Sequence, residues 1–255
     1  MSVSVTVDGA VARIIVARPE TKNAMSFAMY EALTEACQSV EANPAVKVVI
    51  IRGGGGTFIA GTDIREFVAL KTADDAIAYE RRLDAVIGGL ERLTKVTIAL
   101  IEGHAVGGGF TLALACDLRY AAATARLGIP IARTLGNCLS MTNYSRLVET
   151  VGPARAKELL LTARLLSAQE AHSIGLVTGV LPAEALDAHV NDVAASICQL
   201  APLTLQATKE GIRRIVERHR GPDGTDLIVR CYTSEDFQGA VRAFIDKRPP
   251  VWRGR

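Results

Sequence analysis

Two short apolar strands, each running into a glycine-rich turn and then a helix, constrain this chain more than any other feature. Lys47-Val-Val-Ile-Ile-Arg52 leads into Gly53 to Gly56, and Val96-Thr-Ile-Ala-Leu-Ile101 leads into Glu102-Gly-His-Ala-Val-Gly-Gly-Gly109. Strands this apolar belong to a parallel sheet covered on both faces. Phe110 to Cys116 reads as a short apolar helix and Leu118 to Ala122 as a third strand. Strand–helix–strand alternation of this kind predicts an α/β fold of right-handed βαβ units. The carboxyl ends of such strands are where ligands bind, and a helix start there offers unpaired N–H groups and partial positive charge.

The flanking sequence supports the same class. Val3 to Asp8 and Val11 to Ala17 alternate like strands and join through Asp8-Gly9, a hairpin signal. Ser26 opens a helix to about Asn43, closed by Pro44, and helical sequence resumes from Ala73 to Leu93. Asp63-x-x-Glu66 has capping-box spacing with Asp in place of Ser or Thr. The second half is mostly helical. Pro153 suits the first turn of a helix ending at Thr162, and Ser167-Ala-Gln-Glu170 is a capping box for a short helix that Gly175 ends. Val177 to Leu181 reads as a short strand, and helices are expected near 183–199, 202–218 and 235–246, with a glycine- and proline-bearing break near 221–224.

Composition narrows the function classes. With 255 residues the chain buries about 70–75% of its extended surface. A net charge of +2 argues against a nucleic-acid or membrane partner. No apolar run approaches the roughly 18 residues of a membrane span, and the N-terminus lacks the layout of a signal peptide, so a cytoplasmic protein is expected. The five cysteines (Cys37, Cys116, Cys138, Cys198, Cys231) are scattered without CxxC or metal-ligand spacing, so neither a disulfide framework nor a metal is expected.

Phosphate-binding loops fail on spacing. Neither glycine run supplies the Lys-Ser/Thr pair of a Walker loop. A GxGxxG fingerprint begun at Gly54 reaches Ile59, and one begun at Gly107 reaches Leu112, where the last glycine belongs.

Phe58-Ile-Ala-Gly-Thr-Asp-Ile64 and Gly103-His-Ala-Val-Gly-Gly-Gly-Phe-Thr-Leu-Ala-Leu-Ala-Cys-Asp117 resemble the two signature loops of the crotonase (enoyl-CoA hydratase/isomerase) superfamily. Arg18-Pro-Glu-Thr-Lys-Asn-Ala24, Leu166-Ser-Ala-Gln-Glu-Ala, Gly175-Leu-Val177, and Ser234-Glu-Asp-Phe with Phe244-Ile-Asp-Lys-Arg-Pro249 resemble further stretches in the same order. The resemblance implies a spiral of ββα repeats carrying the acyl-CoA site over residues 1–195. It also implies a helical region over 196–255 for oligomerisation and coenzyme A contacts, in a homotrimer or homohexamer. Coenzyme A, as part of the substrate and with no dissociable cofactor, is implied near residues 22–26 and 58–64, with Lys22, Ala24, Gly61, Thr62, Asp63, Ile64 and Gly107 as binding positions. Phe244 and Lys247 are implied near the adenine, from a neighbouring subunit. The family's oxyanion hole falls on the backbone N–H groups of Ala60 and Gly108.

The chain departs from the family where hydratases carry two catalytic glutamates. The first position, after the glycine triplet, is Thr111, and the second, after Gly-x-Pro, is Ile131. Positioned acid–base groups contribute roughly 10²–10⁴-fold each, so ordinary hydration is expected to suffer while enolate stabilisation survives. Arg133, Asn137 and Asn143 lie near the displaced position and are candidates to contact a polar acyl group. Glu66 and His104 are weaker candidate bases, with Asp63 expected as a helix cap and Glu102 in an ion pair. Decarboxylation, another lyase reaction, thioester hydrolysis and non-catalytic coenzyme A binding all remain open, and a nucleotide-binding dehydrogenase is a distant alternative.

Overall fold

The computed structural model describes residues 2–217 and 223–255. Strands β1 (Val3–Asp8) and β2 (Val11–Val16) form the expected hairpin, with Val3 opposite Val16 and Asp8 opposite Val11. A chain reversal through helix α1 (Phe27–Ala42) brings β3 (Val48–Gly53) parallel to β2. Ser26 starts α1 because its Oγ accepts the Met29 N–H at 3.3 Å, filling one of the donors a helix start leaves open. Helix α2 (Ala73–Glu91), capped reciprocally by Thr72 and Asp75, then returns the chain to β4 (Val96–Ile101).

Strand β5 (His104–Val106) leaves this sheet, and helix α3 (Gly108–Ala115) leads to β6 (Leu118–Ala122) beside β4. The chain continues through β7 (Arg126–Gly128), α4 (Ile131–Thr134), α5 (Met141–Thr162), β8 (Leu166–Ser167), α6 (Ala168–Ser173) and β9 (Gly179–Leu181). Helices α7 (Ala183–Cys198), α8 (Pro202–Glu217), α9 (Thr225–Tyr232) and α10 (Glu235–Ile245) complete it.

The main sheet has six strands in the order β1-β2-β3-β4-β6-β9, parallel from β2 onward, and a second sheet has the order β5-β7-β8. The apolar character of β3 has the expected cause: Val49 and Ile51 face the larger core, while Val48 and Ile50 face a second core under α7 with Leu186, Val190 and Ala194.

Three expectations change. Helix α5 begins at Met141 rather than Pro153, because Ser140 caps an earlier segment that Gly152, at φ 76°, interrupts just before the proline. Strands β5, β7 and β8 hold only two or three residues each, too few to show a period in sequence. Helix α9 was not expected. The helical turn that Asp63 opens is present as a 3-10 helix, Ile64–Ala69. The break expected near 221–224, and the last residue of the helix expected over 202–218, fall partly or wholly outside the described residues.

Candidate active site

The first signature loop is held by the turn that precedes it in sequence. Asn23 is fully buried, and its Nδ2 donates to the carbonyls of Gly54, Thr57 and Phe58 at 2.8, 2.9 and 3.0 Å. Further along, the Met25 N–H donates to the Gly61 carbonyl at 2.8 Å and the Asp63 N–H donates to the Met25 carbonyl at 2.9 Å. This parallel bridge turns the backbone groups of Gly61 and Asp63 toward Met25, so those of the intervening Thr62 face the other way. The Thr62 N–H makes no hydrogen bond among the described residues.

The second loop presents a matching donor. Gly108 is the first residue of α3, so its N–H has no carbonyl one turn behind it. Gly107 sits at φ 54°, ψ −124°, a conformation that favours glycine, and its own N–H is held by the Gly128 carbonyl at 3.0 Å. Gly109 lies against the Ile59 carbonyl so closely that a methyl group would collide with it. A methyl built on Gly108 would lie 3.8 Å from the Thr62 nitrogen and 2.5 Å from the Tyr30 hydroxyl, which shows how near the two loops come.

These positions correct the sequence reading at Ala60. Its N–H donates to the Lys22 carbonyl at 3.1 Å and is therefore unavailable. The unsatisfied donor on this loop belongs to Thr62, two residues on, because the bridge to Met25 sets which amides face outward.

Thr62 and Gly108 open onto a cavity of about 160 Å³ that Ala60, Gly61, Ile64, Gly107, Thr111 and Ile131 also line. The structure thus brings both loops, Thr111 and Ile131 to one place. Thr111 is buried and spends its hydroxyl on the Gly108 carbonyl at 2.9 Å. Ile131 opens α4 as an apolar wall beside Ile129, Leu135 and Leu139. Asn137 and Asn143 line the cavity too, but Asn143 is consumed between Asp84 at 3.2 Å and Arg146 at 2.8 Å. Arg133 is exposed on α4 and does not line the cavity, which that short helix borders with Ile131 and Thr134 instead.

The other expected residues sit around it. The Lys22 carbonyl positions Ala60, and the Ala24 carbonyl accepts from Arg18 Nη1 at 3.3 Å. Asp63 is a cap: Oδ1 accepts the Arg65 N–H at 3.1 Å, and Oδ2 meets Arg18 at 2.9 Å and Arg65 at 2.6 Å. These hydrogen bonds, Arg65 foremost, hold its carboxyl down at about 2 despite burial. Asp63 and Ser26 line an open groove of about 620 Å³ with Arg18, Arg65 and Lys71. Glu66 lines that groove and not the cavity. His104, whose backbone N–H donates to Thr57 Oγ1 at 3.0 Å, is absent from the cavity wall, and Glu102 pairs with Arg52 at 3.0 Å as expected. Phe244 and Lys247 are exposed near the end of α10, away from the cavity lining.

Four side chains escaped the sequence reading. Thr62 Oγ1 lies 2.9 Å from the Tyr30 hydroxyl and 2.9 Å from that of Tyr79, a cavity residue. Burial pushes Tyr30 up to about 12 and Tyr79 well above an ordinary phenol, so both stay neutral. Glu80, also on the wall, accepts a hydrogen bond from Tyr232 on α9, and Asn137 Nδ2 donates to the same hydroxyl at 3.1 Å. A signal existed for Glu80: the spacing Ala76, Glu80, Leu83, Ile87, Leu90 places it on the apolar stripe of α2 rather than its charged face.

Comparison with known proteins agrees with this arrangement. The model of the enoyl-CoA hydratase/isomerase family matches residues 6–255. The chain is 33% identical to a probable enoyl-CoA hydratase of Mycobacterium bovis, covering 97% of this chain and 96% of that protein. It is 34% identical to a crotonyl-CoA hydratase of Syntrophomonas wolfei, over 91% of this chain and 90% of the relative. Among solved structures, methylmalonyl-CoA decarboxylase in complex with 2-nitronate-propionyl-CoA superimposes with a TM-score of 0.90 at 27% identity, covering 100% and 99% of the two chains. Fold, order of motifs and extent of match agree over essentially the whole length: the chain belongs to the enoyl-CoA hydratase/isomerase family.

Proposed function

We propose that the protein acts on an acyl-CoA thioester whose carbonyl oxygen, as it becomes an enolate, is held by the Thr62 and Gly108 N–H groups. One observation carries this reading: two neighbouring backbone donors without acceptors among the described residues open onto one cavity, one of them at a helix start where the macrodipole favours negative charge. Coenzyme A lies along the groove beside Ser26 and Asp63, where Arg18, Arg65 and Lys71 offer cationic partners for its phosphates. No dissociable cofactor enters, because the thioester itself supplies the electron sink.

The enolate forms by loss of a substrate group rather than by water addition, and departure of the substrate's own carboxylate is the simplest case. Support comes from the cavity wall, where Thr111 is committed to a backbone carbonyl and Ile131 is apolar, so neither activates water. An apolar wall also favours a step in which a carboxylate leaves as neutral carbon dioxide. The likeness to a decarboxylase at a TM-score of 0.90 is consistent with this.

Residues 196–255 serve assembly as well as the cavity. Leu200, Leu203 and Ile212 on and before α8 are 52%, 76% and 59% exposed, an apolar face suited to packing against further copies in a trimer or hexamer. Phe244 and Lys247 would then meet a neighbour's coenzyme A.

The test pairs two substrates. Purified protein is given a short trans-2-enoyl-CoA, following loss of enone absorbance, and a 2-carboxyacyl-CoA, following carbon dioxide release, with free coenzyme A assayed in both. Carbon dioxide release without enone loss is expected. Rapid hydration of the enoyl thioester overturns the reading.

A further inference from the structure

Glu80 is the one carboxyl among the described residues that line the cavity, and it stands at neither position from which the family resemblance would supply a glutamate. It is 3% exposed, on the face of α2 that packs toward α9. Its Oε1 accepts the Tyr232 hydroxyl, while its Oε2 has no hydrogen-bond partner among the described residues. A buried carboxyl kept for architecture alone normally has both oxygens satisfied, since an orphaned polar atom costs about 1–3 kcal/mol. Asn137 repeats the pattern: Nδ2 is spent on the same Tyr232 hydroxyl, and Oδ1, also at the cavity, is left open. Tyr232 therefore fixes both side chains from behind and leaves each with one unspent atom.

We propose that Glu80 is the acid–base residue of this site, giving its proton to the α-carbon of the bound thioester enolate and, in the reverse direction, removing it. The proposal rests on the acyl-CoA reading above. In the forward step the enolate collapses to the thioester carbonyl, its α-carbon electron pair forms the new C–H bond, the Glu80 O–H bond breaks, and that electron pair stays on the carboxylate. The Tyr232 hydroxyl, already donating to Oε1, stabilises the charge that appears there. A proton from water then restores the acid.

The protonation state suits that task. Burial lifts the carboxyl to about 8, and Asp84, one turn along α2, pushes the same way, while the Tyr232 hydroxyl and the nearby Ser140 backbone amide oppose. The remaining titratable neighbours are Tyr79 on α2, Cys138 before α5, Tyr144 on α5, and Cys231 beside Tyr232 on α9. Burial, with Glu80 adding to it, raises both tyrosines, and the Cys138 thiol is raised while Cys231 is lowered by a hydrogen bond between the two. At neutral pH Glu80 is thus an acid that still yields a working base within about one pH unit.

The experiment follows α-proton exchange of propionyl-CoA in D₂O by NMR, with binding measured separately by calorimetry. Wild-type protein is expected to bind the thioester and exchange its α-protons, with a rate that rises through a midpoint near 8. Glu80→Gln keeps the volume and the Tyr232 contact, and is expected to bind within about threefold of wild type but exchange about a hundredfold more slowly. Tyr232→Phe removes a bond that favours the carboxylate, so the midpoint should move to higher pH, which a merely structural role would not produce. Equal exchange by Glu80→Gln, or a midpoint unmoved in Tyr232→Phe, overturns the proposal. Wild-type protein that binds but exchanges nothing overturns it while leaving the acyl-CoA site standing, and failure of the wild type to bind any thioester overturns both.

Discussion

The Thr111 hydroxyl donates to the Gly108 carbonyl 2.9 Å away, one turn earlier in α3. The Thr111 side chain is thus turned back onto its own helix, and its hydrogen is not offered to a ligand. Thr111→Val, which keeps the shape and drops the hydroxyl, should change turnover by less than about threefold, a difference of under about 0.7 kcal/mol. Steady-state kinetics on the substrate found by the paired assay decide it. A loss of a hundredfold would mean that the hydroxyl turns toward substrate during reaction.

Gly108 and Gly109 should respond differently to a methyl group. At Gly108 the methyl points at the Tyr30 hydroxyl, 2.5 Å away, and at the gap shared with Thr62. The helix can form, but the two N–H groups are pushed apart, and misplacement on the order of 1 Å costs about 10²-fold in rate. Isotope-edited infrared spectra of bound thioester should show the carbonyl stretch lowered in wild type and restored toward its solution value in Gly108→Ala. Gly109→Ala meets the Ile59 backbone instead, so that variant should fail to accumulate as folded protein.

Sequence patterning reached the main sheet and the two loops because β3, β4 and α3 are apolar enough to leave no other reading. It missed β5, β7 and β8 because two or three residues carry no period. The two loop donors show a finer limit. Gly108 came from the family resemblance, with its place at a helix start in agreement, whereas the choice between Ala60 and Thr62 depends on which amides the Met25 bridge consumes, and no local pattern records that pairing. Arg133 was placed by nearness in sequence to Ile131, and α4 turns it outward. Glu80 hid among Asp74, Asp75, Arg81, Arg82 and Asp84, a run that resembles a solvated helix face until the i, i+4, i+7 stripe is traced through it.

Asp63 ties the first turn to the first signature loop through Arg18, and its acid behaviour follows from its hydrogen bonds, those of Arg65 foremost. The folded carboxyl lies at about 2, below the roughly 3.9 of an unfolded chain, so the native state holds its proton less tightly. Its contribution is complete above about pH 4 and disappears as pH falls through 2. Asp63→Asn keeps an acceptor for the Arg65 N–H but loses the charge. Discounting for the exposed Arg65, it should be less stable than wild type by about 1–2 kcal/mol at pH 7, with the gap closing toward pH 2. Urea unfolding at pH 7, 4 and 2.5 tests this, and a gap that does not shrink in acid would show that the ion pairs contribute little.

Glu80 should produce the opposite slope. Its folded carboxyl sits at about 8, above the roughly 4.3 of an unfolded glutamate, so here the native state binds the proton more tightly. Between those values unfolding releases a proton, and wild-type stability should decline as pH rises from about 4.3 to 8 and level off beyond. Glu80→Gln removes the titration while retaining an acceptor for Tyr232. The variant's melting temperature relative to wild type should therefore climb from pH 5 to pH 8 and then hold steady. Calorimetric melting at pH 5, 6, 7, 8 and 9 reads this directly. A difference constant across that range would mean that Glu80 is ionised in the folded protein throughout, and an acid stored at the cavity wall would have to be sought in Tyr79 instead.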